Sequence, residues 1–235
     1  MDVPVHTLVF DALAFIRENA KVFRKYLFLP IVFSLASLFL VETPGLGLAL
    51  ATVSNSLAMA LLGVSATRFY LLRNPETVAD GANRPFARFF FLTFCMTFLG
   101  HMAEVFTLLP KEYQGGMMVW MILGIWINLK ICLAFPAIAL GHPGSVWDNV
   151  IASFEWTRGH GFRIVAAFLV CYCPVIFFTM MLMQVPGMMP DPDDFWASLP
   201  QMVFSDILIV FSMMWSSVVL AKLYETIVLG RPASK

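Results

Sequence analysis

Six stretches of this sequence are long and apolar enough to decide its solvent. A helix crosses the roughly 30 Å hydrocarbon core of a bilayer with about 20 predominantly apolar residues. Such stretches run over about 26–41, 45–67, 89–109, 116–140, 164–185 and 201–229. Hydrophobic residues make up 60% of the chain and charged residues 13%, against about 25% charged in a soluble domain. So little charge cannot cover a water-facing surface after a core has been buried. Soluble enzymes, disordered chains and nucleic-acid binders are thereby excluded. The expected fold is an all-α membrane protein in which residues 26–235 form a bundle of six transmembrane helices.

The formal net charge is zero, with 15 basic and 15 acidic residues. The placement of Lys and Arg is more informative, because basic residues collect in cytoplasmic loops. With the N-terminus in the cytoplasm, that side receives Arg17, Lys21, Arg24, Lys25, Arg68, Arg73, Arg84, Arg88, Arg158, Arg163, Lys222, Arg231 and Lys235. The outer side receives Lys111, and Lys130 falls inside the fourth span. Both termini are therefore expected in the cytoplasm. The outer loops carry Glu42, Glu112, Asp191, Asp193 and Asp194 instead.

Residues 1–25 do not read as a secretory signal, in which positive charge precedes a short apolar run. Projected at helical pitch, Leu8, Val9, Ala12, Leu13, Phe15, Ile16 and Phe23 fall on one half of residues 5–25. His6, Asp11, Arg17, Glu18, Lys21, Arg24 and Lys25 fall on the other, with Phe10 and Asn19 out of pattern. Such a helix either lies along the inner leaflet with its bases toward anionic headgroups or packs on neighbouring cytoplasmic segments. A second interfacial amphipathic helix is expected over 145–158. Ser145 with Asp148 gives a start like a capping box. Val146, Trp147, Val150, Ile151 and Phe154 then form an apolar stripe, with Asp148, Asn149 and Glu155 mostly opposite.

A loose echo relates the two halves. Arg17-Glu-Asn-Ala-Lys-Val-Phe-Arg24 leads into a span containing Pro30, and Arg158-Gly-His-Gly-Phe-Arg163 into a span containing Pro174. An outer Pro-Gly follows each, at Pro44-Gly45 and Pro186-Gly187. Both copies enter from the same side, so the echo describes a parallel repeat, as some transport folds have.

The second half carries a family resemblance. Pro136-Ala-Ile-Ala-Leu-Gly141 closes a span, and a short amphipathic helix ends in Trp156-Thr-Arg-Gly-His160. Arg163 then opens a new span, and Lys222-x-Tyr224 stands at the inner end of the last. This pattern resembles uncharacterised six-span bacterial inner-membrane proteins. It is also similar to the membrane portion of membrane-anchored glycerophosphodiester phosphodiesterases. The likeness is strongest over 116–229. It departs at His160, where many relatives carry Asn, and no phosphodiesterase domain is expected in this chain. The resemblance implies a location in the bacterial inner membrane and a fold, and no reaction.

Polar groups in hydrocarbon are functional candidates by default. Lys130 lies about ten residues, or roughly 15 Å of helix, from the inner end of the fourth span. It either snorkels inward, pairs with a carboxylate, or lines a cavity together with Asn128 and Asn55. Asparagine also bridges membrane helices. His101 and Glu104 share a face of span three, and Asp206 sits at similar depth in span six. The three form either an outer proton or cation site or separate hydrated groups. Arg17, Lys21, Arg24, Lys25, Arg158 and Arg163 are candidate headgroup ligands. Ser56, Ala60, Gly63 and Thr67 form a small-residue stripe suited to close helix packing. Ten of the 15 methionines, together with Cys171 and Cys173, would suit Cu(I) as soft ligands, or serve as adaptable apolar filler. No zinc spacing, phosphate loop or nucleophile elbow appears.

The sequence thus points to a non-enzymatic integral membrane protein without a cofactor. It is read as a lipid-interacting or scaffolding module, or an accessory subunit with a membrane-protein partner. The alternatives are a small transporter or channel with a polar site around Lys130 and, behind it, a Cu(I)-handling protein.

Overall fold

Inside hydrocarbon every backbone N–H and C=O must find a partner within the protein, which favours helices throughout. The computed structural model describes residues 4–41, 46–73, 83–105, 115–184 and 195–230. Among these, nine α-helices follow one another with no strand. They are α1 (Val5–Glu18), α2 (Ala20–Val41), α3 (Gly47–Leu72), α4 (Asn83–Val105), α5 (Gly115–Ile131), α6 (Ala134–Ala139), α7 (Val146–Trp156), α8 (Gly161–Gln184) and α9 (Phe195–Ile227).

Among the described residues, four helical segments are long and apolar enough to cross a membrane: Ala20–Leu40, Gly47–Leu72, Gly161–Phe178 and Leu199–Ile227. Pro85–Gly100 and Gly116–Ile131 are shorter apolar helices. Large apolar side chains face outward along these helices, including Phe28 and Val32 on α2, Met118, Ile122 and Ile125 on α5, and Ile176 and Phe177 on α8. An exterior of this kind suits lipid and would aggregate in water. The chain has the build of a polytopic membrane protein.

Two boundaries differ from the sequence expectation, each for a local reason. The predicted helix over 5–25 breaks at Asn19. Its Nδ2 donates to the Phe15 carbonyl at 2.9 Å, and its own carbonyl accepts from the backbone N–H groups of Val22 and Phe23. An asparagine bonding to nearby backbone ends one helix and starts the next. The first membrane helix therefore begins at Ala20, and Lys21, Arg24 and Lys25 belong to its first turns. The predicted fourth span over 116–140 is also interrupted. α5 stops at Ile131, and α6 starts at Ala134 after a turn at Cys132 and Leu133. Pro136 explains the break: it has no N–H to offer the Cys132 carbonyl, and its ring crowds that carbonyl.

α3 is the central post, packed against α2, α4, α6 and α9. Its stripe of Ser56, Ala60, Gly63 and Thr67 is buried, as close helix packing requires. At Gly63 the approach is so tight that an added Cβ would lie 2.4 Å from Phe89 Cζ on α4. One apolar core joins α1, α2, α3, α8 and α9 around Leu8, Phe23, Phe69, Val218 and Tyr224. A second, around Val64, Phe89, Ile131 and Ile138, joins α3 to α4, α5 and α6.

Candidate functional site

The interruption between α5 and α6 leaves helix-terminal carbonyls that need donors. α7 supplies one. Ser153 Oγ donates to the Lys130 carbonyl at 2.7 Å, while Thr157 Oγ1 donates within α7 to the Ser153 carbonyl at 2.9 Å and lies 3.5 Å from the Lys130 oxygen. The C-terminus of α6 is held from α3, where Arg68 Nη1 donates to the Ala139 carbonyl at 3.1 Å. α7 itself is fixed at its start by a full capping box. Ser145 Oγ accepts from the Asp148 N–H at 3.2 Å, and Asp148 Oδ2 accepts from the Ser145 N–H at 2.7 Å. That backbone bond first, and the Ser145 hydroxyl second, hold the Asp148 carboxyl below its ordinary pKa.

These bonds set which face of α7 is buried. Asn149, Ser153 and Thr157 are 4%, 0% and 2% exposed, whereas Trp147 and Ile151 are 60% and 64% exposed. Phe162, at the start of α8, is 85% exposed. Val146, Val150 and Phe154 lie between these faces and pack against the second core.

A cavity of about 520 Å³ lies beside the helix break. Its walls come from α3 (Met59, Gly63, Thr67), α4 (Phe89, Thr93, Met96, Thr97), α5 (Ile125, Asn128, Leu129), α8 (Val165, Phe168, Leu169, Tyr172) and α9 (Met213, Ser216, Ser217, Leu220). Cys132, Phe135 and Pro136 complete it from the break itself. Irregular backbone at membrane depth is tolerated where protein or a cavity receives it. No charged side chain belongs to this lining. Four of its polar residues donate close to home. Thr93 Oγ1 donates to the Phe89 carbonyl, Asn128 Nδ2 to the Gly124 carbonyl, and Ser216 and Ser217 both to the Met213 carbonyl. Ile125 and Leu169, on the facing edges of α5 and α8, are both exposed.

The predicted site residues are dispersed. Asn128 lines the cavity, but Lys130 does not. Because α5 ends at Ile131, Lys130 sits in its last turn, beside the helix break. Its side chain is half-buried, and its carbonyl is the atom the fold uses. Asn55 is half-buried on α3 and outside the cavity lining. Asp206 turns toward α2, accepting a hydrogen bond from Ser34 Oγ at 2.8 Å. His101 and Glu104 lie on α4, and their side chains are outside the described residues. Arg17, Lys21, Arg24, Lys25 and Arg158 are exposed, and Arg163 is half-buried. Cys171 is buried and Cys173 exposed, so the pair does not face one way. Among the described residues, no group of three or more His, Cys, Asp or Glu is placed to hold a metal.

A second polar region was not visible in the sequence. Lys222, 2% exposed, is paired with Asp11 of α1 at 2.5 Å. Trp215 Nε1 donates to the Val9 carbonyl at 3.0 Å. The Arg73 guanidinium covers the rings of Tyr70 and Phe15, at 4.2 and 5.0 Å. These contacts clasp α1 onto the ends of α3 and α9. Those helices, at 26 and 33 residues, are about 39 and 50 Å long and outreach the hydrocarbon core. Two residues of the sequence motif meet nearby, with the Trp156 and Tyr224 rings edge to face at 5.7 Å.

The chain matches no protein-family model, no curated protein and no solved structure. Function is therefore argued from the geometry alone.

Proposed function

We propose that this chain is a non-enzymatic, lipid-interacting integral membrane protein of the bacterial inner membrane. In this reading α2, α3, α4, α5 continued by α6, α8 and α9 cross the bilayer with both termini in the cytoplasm. α7 lies in the cytoplasmic interface, and α1 rests on the cytoplasmic end of the bundle. The observation that carries it is the orientation of α7: it buries Ser153 and Thr157 and turns out Trp147 and Ile151, large apolar side chains suited to the hydrocarbon boundary, with Asp148 and Glu155 beside them for the headgroup layer. Trp is favoured at that depth. Exposed Arg17, Lys21, Arg24, Lys25 and Arg158 then meet anionic headgroups, each base near such a surface contributing about 1 kcal/mol.

The test is thermal unfolding of the protein in nanodiscs of phosphatidylcholine with and without phosphatidylglycerol. Anionic lipid is expected to raise the midpoint, and Arg17→Gln with Arg158→Gln to diminish the rise. A midpoint independent of anionic lipid would overturn the reading.

A transporter is the second reading, favoured by one observation. The α5–α6 break lines the cavity through Cys132, Phe135 and Pro136, and interrupted helices hold substrates in several transport folds. Here the polar residue to alter is Asn128, not Lys130. Asn128→Leu would abolish solute uptake by proteoliposomes if the cavity carries a polar solute.

A further inference from the structure

We propose that the cavity beside the α5–α6 break holds a single hydrocarbon chain of a bilayer lipid, which enters sideways between α5 and α8 and leaves its headgroup outside. The proposal rests on the reading of the chain as a membrane protein and goes beyond it, because contact with surrounding lipid does not require an internal site.

Four observations point to this occupant. The first is size: about 520 Å³ falls within the roughly 300–1,000 Å³ of small-molecule sites. It suits one chain and is too small for a whole two-chain lipid. The second is chemistry. The lining offers no charge to a phosphate, carboxylate or amine, and Thr93, Asn128, Ser216 and Ser217 already donate to carbonyls of their own helices. A polar solute would recover little of its hydration from so apolar a lining, at a cost of about 1–3 kcal/mol for each group left unsatisfied. A hydrocarbon chain loses nothing. The third is access. Ile125 and Leu169 line the cavity and are also exposed, on helices whose other outward residues are Ile122, Phe177 and Met180. The opening therefore faces the surface that lipid tails already cover. The fourth is pliancy: Met59, Met96 and Met213 line the walls, and unbranched thioethers adapt to chains of varied shape.

The experiment uses the full chain in vesicles of phosphatidylethanolamine and phosphatidylglycerol. These carry a trace of phospholipid with a diazirine at the end of one acyl chain. After photolysis, the labelled peptides are mapped by mass spectrometry. Label is expected on the inner walls, at 93–97 of α4 and 213–220 of α9, as well as on the outward faces of α5 and α8. Ser217→Phe and, separately, Thr97→Phe fill the cavity. Each should reduce inner-wall labelling to background while outward labelling, the check on folding and insertion, is unchanged. Phosphatidylcholine and phosphatidylglycerol probes should label the inner walls alike, since the headgroup stays outside. Two results would overturn the proposal: label on outward faces alone, or inner-wall label that survives both variants. Absence of label from the outward faces as well would instead remove the membrane reading on which it rests.

Discussion

α1 and α7 are both short amphipathic helices standing before a membrane helix, yet they treat their apolar stripes differently. α1 buries Leu8, Val9, Ala12 and Ile16 and leaves Asp11, Arg17 and Glu18 at the surface. α7 buries Asn149 and Ser153, packs Val146, Val150 and Phe154 against the core, and leaves Trp147 and Ile151 at the surface beside Asp148 and Glu155. Their neighbours account for the difference. α1 lies over apolar side chains of α8 and α9, where a hydrocarbon face fits. α7 lies beside the cut end of α5, whose carbonyls need hydroxyl donors more than they need apolar cover. Amphipathicity divides a helix into two faces. It does not say which one looks inward when the outside includes lipid.

The comparison breaks most severely under a charge placed on each apolar stripe. Leu8→Asp would bury an unpaired carboxylate under α1 and destabilise the fold by about 4 kcal/mol or more. Ile151→Asp places its carboxylate at the outer boundary and not in the protein core, and should lower the unfolding midpoint in detergent much less. Equal losses in the two variants would refute the outward placement of Ile151.

The next largest effect concerns the clasp on α1. Asp11→Ala leaves the Lys222 ammonium buried without its carboxylate. Removing one partner of a fully buried pair costs about 3–5 kcal/mol, and Asp11, being half exposed, should stand at or below the lower end. Lys222→Met returns Asp11 to water and should cost less than Asp11→Ala. Chemical denaturation in a mild detergent reads both, and the reverse ranking would show that the lysine is not sealed in.

A smaller loss is expected at α7. Ser153→Ala removes a donor from the Lys130 carbonyl and should cost about 1–2 kcal/mol, with faster amide exchange in the last turn of α5. Trp147→Ala should produce no such change in exchange.

The smallest effect is the pH dependence of the α7 start. Asp148 has its pKa lowered in the folded protein, so its cap stabilises above the ordinary carboxylate value and is lost as pH falls through the depressed one. Protection factors of the amides in the first turn of α7 should fall as pH drops below the ordinary carboxylate range and stay flat above it, and Asp148→Asn should remove the step.

The sequence carries its information unevenly. Apolar length marks the four helices long enough to cross a membrane, because one physical requirement governs their whole extent. The small-residue stripe of α3 and the Ser145–Asp148 cap were legible because spacing alone brings those residues together. The two interruptions were not. Asn19 fits a continuous amphipathic pattern, and Pro136 reads as a residue within a long apolar run. The second leaves Lys130 at a helix end, where its carbonyl takes a hydrogen bond from Ser153, and the apolar run gives no sign of that. The Asp11–Lys222 pair joins residues 211 apart in sequence, and nothing local marks it. The cavity is assembled from six helical segments whose lining residues are ordinary core residues taken singly. Of the predicted polar site, Asn128 alone reaches it.

The most direct test of the central claim is a comparison of spin labels in nanodiscs, one at Ile151→Cys on α7 and one at Arg17→Cys on α1. Cys132 and Cys171 are buried, so replacing Cys95 and Cys173 by Ser suffices to isolate each label. The account predicts that the label at 151 is relaxed by oxygen dissolved in the hydrocarbon and shielded from a water-soluble nickel complex, with the label at 17 behaving in the opposite way. Equal exposure of both labels to the nickel complex would contradict it.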